Sequence, residues 1–469
     1  MRKLFGFIIG IIVIAAVIIF LILPLSMGFW VKSHYQQLLD KVNKAPGIAL
    51  KVVQFDRGWF TSKATLQVTI KPHWPRFNAT TNSAPIQFTV RQRIKNGPWI
   101  FGAQKFLWAK ALVQSTSDAA NFKFNAQTII HFSNAIDNSF FAKSITIANS
   151  QGQVVINNLN SHIIYAPSTQ QLTRKTSIGS LTITEKESEV ASPQAYKQKF
   201  EIINLNSSSQ LKRLNLLWYG DRSISADKAT FFIAQKEPFV LSQVTLAAKQ
   251  SQTNGTSANI FKAHADSIVG DGVDLKPFDL KLSIVDVDAQ SLMNLLSAAM
   301  QLSQSTQSDM LQIKTLYIPF AQLVSKGFTA KLHYLTFGTP EGIVNATAQL
   351  ILPKQSGAPS ALLLLQNATG ELHMQMPLTW LKQFVVNLYR GNTDNTGSKT
   401  LSPEKTAQQQ IQMWIDNKKL IQDGQNVKID VTFKNGQLLI NGLPPSYQAP
   451  AQTPTQQQPS TGTTPAPQQ

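Results

Sequence analysis

Residues 55–70 read FDRGWFTSKATLQVTI. In the second half Ala64, Leu66, Val68 and Ile70 alternate with Lys63, Thr65, Gln67 and Thr69, the period of two that makes a β-strand with one buried and one wet face. In the first half a cation, a glycine and two aromatics in a row (Arg57, Gly58, Trp59, Phe60) precede that strand. Gly58 is free to take positive φ, so Asp56 to Trp59 reads as a turn or bulge between two antiparallel strands, with Phe55 and Phe60 packed on either side. Arg57 then pairs with Asp56 or caps backbone carbonyls. A second reading makes Arg57, Trp59 and Phe60 a ligand contact or a membrane-facing patch. The corner needs fewer assumptions.

Working outward, the alternation recurs. Strand-like segments fall at 51–55, 86–90 (running into KNGPWIF, 95–101), 144–148, 153–156, 180–184, 199–205, 229–234, 239–247 and 278–287. The last places Leu280, Leu282 and Ile284 on one face, and further β sections fall at 330–352 and 360–376. Asn254-Gly255 marks a turn, and Asn435-Gly436 gives the type I′ signal of a closing hairpin, VKIDVTFKNGQLLING. Strands spaced this closely predict an extended antiparallel sheet rather than βαβ units. Helical periodicity predicts helices near 289–304, 378–389 and 403–421, the first capped by Asp288 and the third opened by Ser402-Pro403. The fold class is therefore mainly β with helices (α+β), the helices concentrated in the C-terminal third.

The two ends differ from this body. Leu4 to Leu23 is uninterrupted apolar sequence, long enough as a helix to cross the hydrocarbon core of a bilayer. No small-x-small cleavage site follows, so 4–25 reads as a retained transmembrane helix rather than a cleaved signal, with Trp30 an interfacial aromatic. Residues 1–3 form a short cytoplasmic end, 26–47 an amphipathic connector, and 48–442 the β-rich domain. The Lys and Arg flanking the apolar run nearly balance, but long domains translocate largely regardless of flanking charge. Residues 443–469, rich in Pro, Gln and Thr, bury too little apolar surface to order and read as a disordered tail.

Composition narrows the chemistry. The formal net charge is +18, yet the densest cationic spots are pairs, Arg174-Lys175 and Lys212-Arg213. A dispersed basic surface suits an anionic layer such as lipid headgroups and not nucleic acid. With no cysteine there is no disulfide, thiol nucleophile or Cys-based metal site. Of the seven histidines the nearest to a ligand pair is His264-Ala265-Asp266, which shares a strand face but shows no third ligand. The acidic series from Asp271 to Asp288 lacks the order of a calcium loop. No nucleophile elbow, phosphate loop or dinucleotide glycine motif occurs. The reading assigns no catalytic residue, metal or cofactor.

An N-terminal anchor, FDRGWFTSKATL, a strand ending in KNGPW and the late DVTFKNGQLLING hairpin together resemble the YdgA/YihF family of bacterial inner-membrane-anchored envelope proteins, whose main domain has no known function. Phe55, Arg57, Gly58, Phe60 and Ser62 match the family's early motif. Its later His-Gly-Pro element stands here as Asn96, Gly97 and Pro98, so the histidine is replaced. The resemblance implies a single-pass inner-membrane protein with the bulk of the chain in the periplasm, and it supplies no catalytic residues. These motif residues read as structural, with Trp59 and Phe60 as candidate contacts to lipid or a partner. The function read from this is a non-enzymatic scaffold or a domain that contacts lipid, another envelope protein or a second copy. The alternatives are a lipid-handling β-groove and an envelope hydrolase with a motif-free site. For strand faces such as Ala64/Leu66/Val68/Ile70 a buried core is the simpler expectation.

Overall fold

Most of the described strands pair with the strand that follows them in the chain. The structure, a computed structural model, describes residues 48–445 except 71–84, 102–105, 149–151, 187–195, 216, 234–236, 304–308, 356–365 and 393–401, together with Gln37 and Asn43. The expected transmembrane helix, nearly all of the connector, and the tail from 446 onward lie outside the described residues. Among those described, no helix is long and apolar enough to cross a membrane.

The chain runs β1 (Ile48–Asp56), β2 (Thr61–Ile70), β3 (Ile86–Asn96), β4 (Trp99–Phe101), β5 (Phe106–Trp108), β6 (Ala111–Ala119), β7 (Phe122–Ile130) and β8 (Ile136–Ala148). Five long strands follow, β9 (Gly152–Ala166), β10 (Gln171–Lys186), β11 (Tyr196–Leu214), β12 (Leu217–Ile233) and β13 (Phe239–Thr253). Next come β14 (Thr256–Ala265), β15 (Ser267–Gly270), β16 (Val273–Leu275) and β17 (Phe278–Asp288), then helices α1 (Ala289–Ser303) and α2 (Asp309–Ser325). The chain closes with β18 (Phe328–Thr339), β19 (Gly342–Leu352), β20 (Thr369–Pro377), α3 (Leu378–Asn392), α4 (Pro403–Asp416), β21 (Ile421–Asp423), β22 (Asn426–Lys434) and β23 (Gln437–Ile440).

All ladders are antiparallel. They follow chain order from β1 to β3, then from β6 to β14, then through β17, β18, β19, β20, β22 and β23. β4 and β5 form a separate two-stranded hairpin. The predicted tight turns are present. Asn254-Gly255 (φ 52 and 82) links β13 to β14, and Asn435-Gly436 (φ 52 and 73) links β22 to β23, the two positive φ values of a type I′ turn. β11, at 19 residues, is roughly 65 Å long.

The long strands carry a feature the sequence reading misses. In β11 Leu211, Ser209, Ser207 and Leu205 share a face with Ile202 and Phe200, so the phase of alternation slips by one residue at Asn204 (φ 54). β9 slips at Asn158 (φ 53), β13 at Gln243 (φ 49), and β10 and β12 slip level with them beside Gly179 and Asp227. The slip begins as a bulge in β8, where Ala142 and Ile145, three apart, are both buried. A left-handed residue inside an extended strand bends it, so the aligned slips crease the sheet along one line while keeping the apolar residues on one face.

Among the described residues, the hydrophobic clusters on that face lie at its two ends. Near β1–β3 and β6–β7, Leu66, Val68, Phe88 and Val90 pack with Phe122 and Phe124, and Ala64, Ile94 and Ala111 pack with Phe55. At the far end Val344, Met376 and Val427 meet Leu381 and Val385 of α3 and Ala407 and Ile411 of α4. The buried core expected for the Ala64/Leu66/Val68 face is there; strands β9–β17 contribute no residue to any of these clusters.

Asp288 caps α1 as expected, its carboxylate accepting from the Ser291 N–H at 2.8 Å, and Ser402 caps α4. Two expectations are corrected. Helix α4 ends at Asp416 rather than 421, because Lys418 turns left-handed (φ 55) and Leu420 folds into the core. Helix α2 was not expected; Pro319 lies inside it and masks its periodicity.

Candidate functional site

The FDRGWF segment is the turn between β1 and β2, and Asn96 holds it. Asn96, the last residue of β3, is 1% exposed. Its side-chain N–H2 donates to the carbonyls of Gly58 and Trp59, each at 3.1 Å, and its backbone N–H donates to Phe60 O at 2.9 Å. One side chain thus ties the early motif to Asn96, Gly97 and Pro98. Two details of the expected corner are corrected. Gly58 does not adopt positive φ; a Cβ there would lie 2.1 Å from Thr61 O, so close backbone approach is what demands glycine. Gly97 is pinned in the same way, 1.9 Å from Ala109 O. Phe55 packs inward, but Phe60 does not and stands exposed beside Trp59. Ser62 is fully buried in β2, and Arg57 is exposed at the turn.

Beyond Pro98 the strand does not continue through KNGPWIF as read. It breaks into the β4–β5 hairpin, which folds back and seats Ile100 and Leu107 on Leu112 and Ile129. The residues between, Trp99, Phe101, Phe106 and Trp108, form the other side of the hairpin, where Trp99 meets Trp108 at 4.5 Å and Phe101 meets Phe106 at 5.7 Å.

The apolar face of the central strands is the largest functional candidate. Register carries Ile156, Leu181, Ile202, Ala229, Leu241 and Ile268 across six strands in one row. Val154, Ile183, Phe200, Phe231 and Phe239 form the next row. All are only partly buried. On the other side of the crease Ile224 (45% exposed), Leu246 (47%) and Phe261 (42%) lie on successive strands. Arg174 and Arg222 face the same side, both opposite Ser209. Toward β22 this face forms an apolar concavity of about 340 Å³ among Leu282, Leu332, Leu350, Leu372, Val431 and Phe433. No sequence signal marked these rows, because each strand's pattern is split by the phase slip.

The opposite face is polar. Between β2 and β9 it forms an open concavity of about 720 Å³ with Lys63, Arg91 and Arg93 in its wall and no carboxylate. His264 lies on this face, between Asp279 (2.9 Å to Nδ1) and Asp266 (3.1 Å to Nε2). The sequence pair thus gains its third member from the neighbouring strand. Both ring nitrogens are spent on carboxylates, which raises the histidine's pKa, chiefly through the Asp279 bond and then Asp266. Among the described residues no group of three His, Asp or Glu is placed to hold a metal ion. His162 with Asp137 and His373 with Asp430 repeat the cross-strand pairing at 2.7 Å.

Among the described residues these features define a class: a long antiparallel meander with one apolar face whose hydrophobic clusters lie at its two ends. The family model described as "Bacterial protein of unknown function (DUF945)" matches residues 1–446, and the chain belongs to that family. No curated protein and no solved structure matches it.

Proposed function

We propose that this is a non-enzymatic, membrane-anchored envelope protein whose open apolar sheet face holds the acyl chains of lipid. The anchor is the apolar run at 4–23, single-pass in the inner membrane, with the sheet in the periplasm as the YdgA/YihF resemblance implies. The observation that carries the reading is the pair of apolar rows through Ile202 and Phe231, aligned across the central strands and absent from the hydrophobic clusters. Monomeric proteins rarely leave such a surface without an occupant. Covering a half-exposed Leu or Phe gains about 1 kcal/mol, so a row of them supplies enough for a lipid chain. Arg174 and Arg222 on the same side suit a phosphate headgroup.

Phe231 and Phe232 are adjacent and face opposite sides of the sheet, which gives a test in the intact chain. A photoreactive benzoylphenylalanine replaces one or the other in cells, and adducts are identified by mass spectrometry. Lipid adducts at 231 and not at 232 are expected. Equal yields at both, or protein adducts alone at 231, would make this face a partner-binding surface and end the lipid reading.

A further inference from the structure

The outer side of the β4–β5 hairpin inverts the usual rule. A hairpin folded onto a sheet normally turns polar side chains to water; here four aromatics alternate with the inward Ile100 and Leu107. Phe101 is 69% exposed, Phe106 55% and Trp108 52%, and Trp59 and Phe60, in the turn that Asn96 holds just ahead of the hairpin, are equally open. The patch is also held firmly. Asn96 fixes the Trp59 and Phe60 backbone, and Lys95 Nζ donates to Phe101 O at 2.9 Å. Large exposed apolar patches mark interaction surfaces.

Charge selects the partner. From Arg57 to Ser117 the chain has nine Lys and Arg residues and no Asp or Glu, half of its formal net charge of +18. A second copy would bring the same charge and be repelled. A mixture of Trp and Phe in a stretch of chain this basic, with Lys95 bonded to the hairpin itself, is the composition that settles at a membrane–water boundary, rings among the upper acyl chains and ammonium groups at the phosphates. We propose that the β4–β5 hairpin, with Trp59 and Phe60, docks on the surface of an anionic phospholipid bilayer. The hairpin lies at the end of β3 opposite Ile86, on the long edge of the sheet away from Ile48, where the chain enters from its N-terminal segment. The contact is therefore distinct from the anchor, and it stands independently of whether the apolar face holds lipid.

The absence of cysteine makes the test direct. Phe101→Cys is labelled with an environment-sensitive fluorophore in the full chain, held in phosphatidylcholine nanodiscs and titrated with phosphatidylglycerol or phosphatidylcholine vesicles. A blue shift is expected with phosphatidylglycerol, weakening with salt, and none with phosphatidylcholine. The same label at Val273→Cys, on the opposite edge, should stay silent. Lys95→Gln with Lys110→Gln should weaken vesicle binding about fivefold per cation, and Phe106→Ser about tenfold. Phe106 is already exposed, so its loss leaves the fold intact by circular dichroism. No shift with phosphatidylglycerol, or an equal shift with both lipids, would overturn the proposal. A label already buried before vesicles are added, in a cross-linkable dimer, would overturn it in favour of a second copy.

Discussion

Asn96 is the residue on which the turn and the aromatic hairpin both depend, and Asn96→Ala measures that dependence. The substitution removes two neutral hydrogen bonds to Gly58 O and Trp59 O and leaves a small void in place of a 1% exposed side chain. Each bond is worth about 1 kcal/mol net. Two terms pull the other way: Trp59 is exposed, so water reaches its carbonyl, and the Asn96 Oδ1 atom is buried without a partner, a penalty the alanine removes. A net local loss of about 2 kcal/mol follows. A sheet of this size does not unfold in one step, so global melting is the wrong assay. Hydrogen exchange with mass spectrometry reads local opening instead. Peptides spanning 55–62 and 94–100 should exchange roughly thirtyfold faster, while β11 and β22 stay unchanged. Asn96→Asp should be worse, because it aims a carboxylate at two carbonyls in a buried site. If Asn96→Ala leaves both peptides within about threefold of wild type, the side chain is not what holds the motif together, and the account of Gly58, Trp59 and Asn96 given above fails with it.

The contrast between covered and open stretches of the apolar face predicts opposite outcomes for one chemical change. Leu66→Asp, at a 4% exposed site in the end cluster, should unfold that end, whereas Leu246→Asp, 47% exposed, should cost under about 1 kcal/mol yet abolish lipid adducts at position 231. Exchange rates and crosslinking yield on the two variants check this together, and a Leu246→Asp protein that fails to fold would show that the central face is covered after all. The His264 cluster predicts a pH dependence. Its folded pKa lies above the ordinary value, so its contribution is fully present below about pH 6.5 and lost as pH rises through the folded pKa. His333, bonded to Ser283 on the adjoining ladder, has a lowered pKa from burial and then from Lys281 and Lys331, and so opposes this by weakening the fold as pH falls below about 6.5. In a His333→Gln background, β14–β17 amides should be better protected at pH 5.5 than at pH 8, after correction for intrinsic exchange, and His264→Gln should remove the difference.

Much of the architecture was legible because its signals are local. Alternation at Ala64–Ile70, the Asn-Gly turns, the Ser402-Pro403 cap and the spacing of strands are each set by residues within a few positions of one another. What escaped depends on partners far along the chain. β11 reads only as a short strand at 199–205 because NLNSSSQ interrupts its apolar pattern: Asn204 shifts the phase, and Ser207 and Ser209 occupy positions on the apolar face. The role of Asn96 was equally hidden, since its hydrogen-bond partners lie 37 and 38 residues upstream. The exposure of the hairpin aromatics was invisible for a related reason, and for Phe60 the sequence left a packed corner and an exposed patch both open: hydrophobicity alone does not say which apolar residues find a cover.

The phase slip bears on function as well as on legibility. A strand that kept strict alternation through 19 residues would need every second residue apolar to present one apolar face. The slip lets each half follow its own series, Leu205 to Leu211 on one side of Asn204 and Phe200 with Ile202 on the other, and rejoins them on the same face. Since β9 to β13 all slip at the same level, the ladder on either side keeps its register. A single strand slipping alone would throw its apolar residues onto the polar face for half its length. Deleting Asn204 would do this, placing Phe200 and Ile202 among Lys228 and Ser242. Alignment of the slips across five strands is therefore a condition for the apolar rows to be continuous, and continuity along the sheet is what a chain-like ligand requires and a compact one does not.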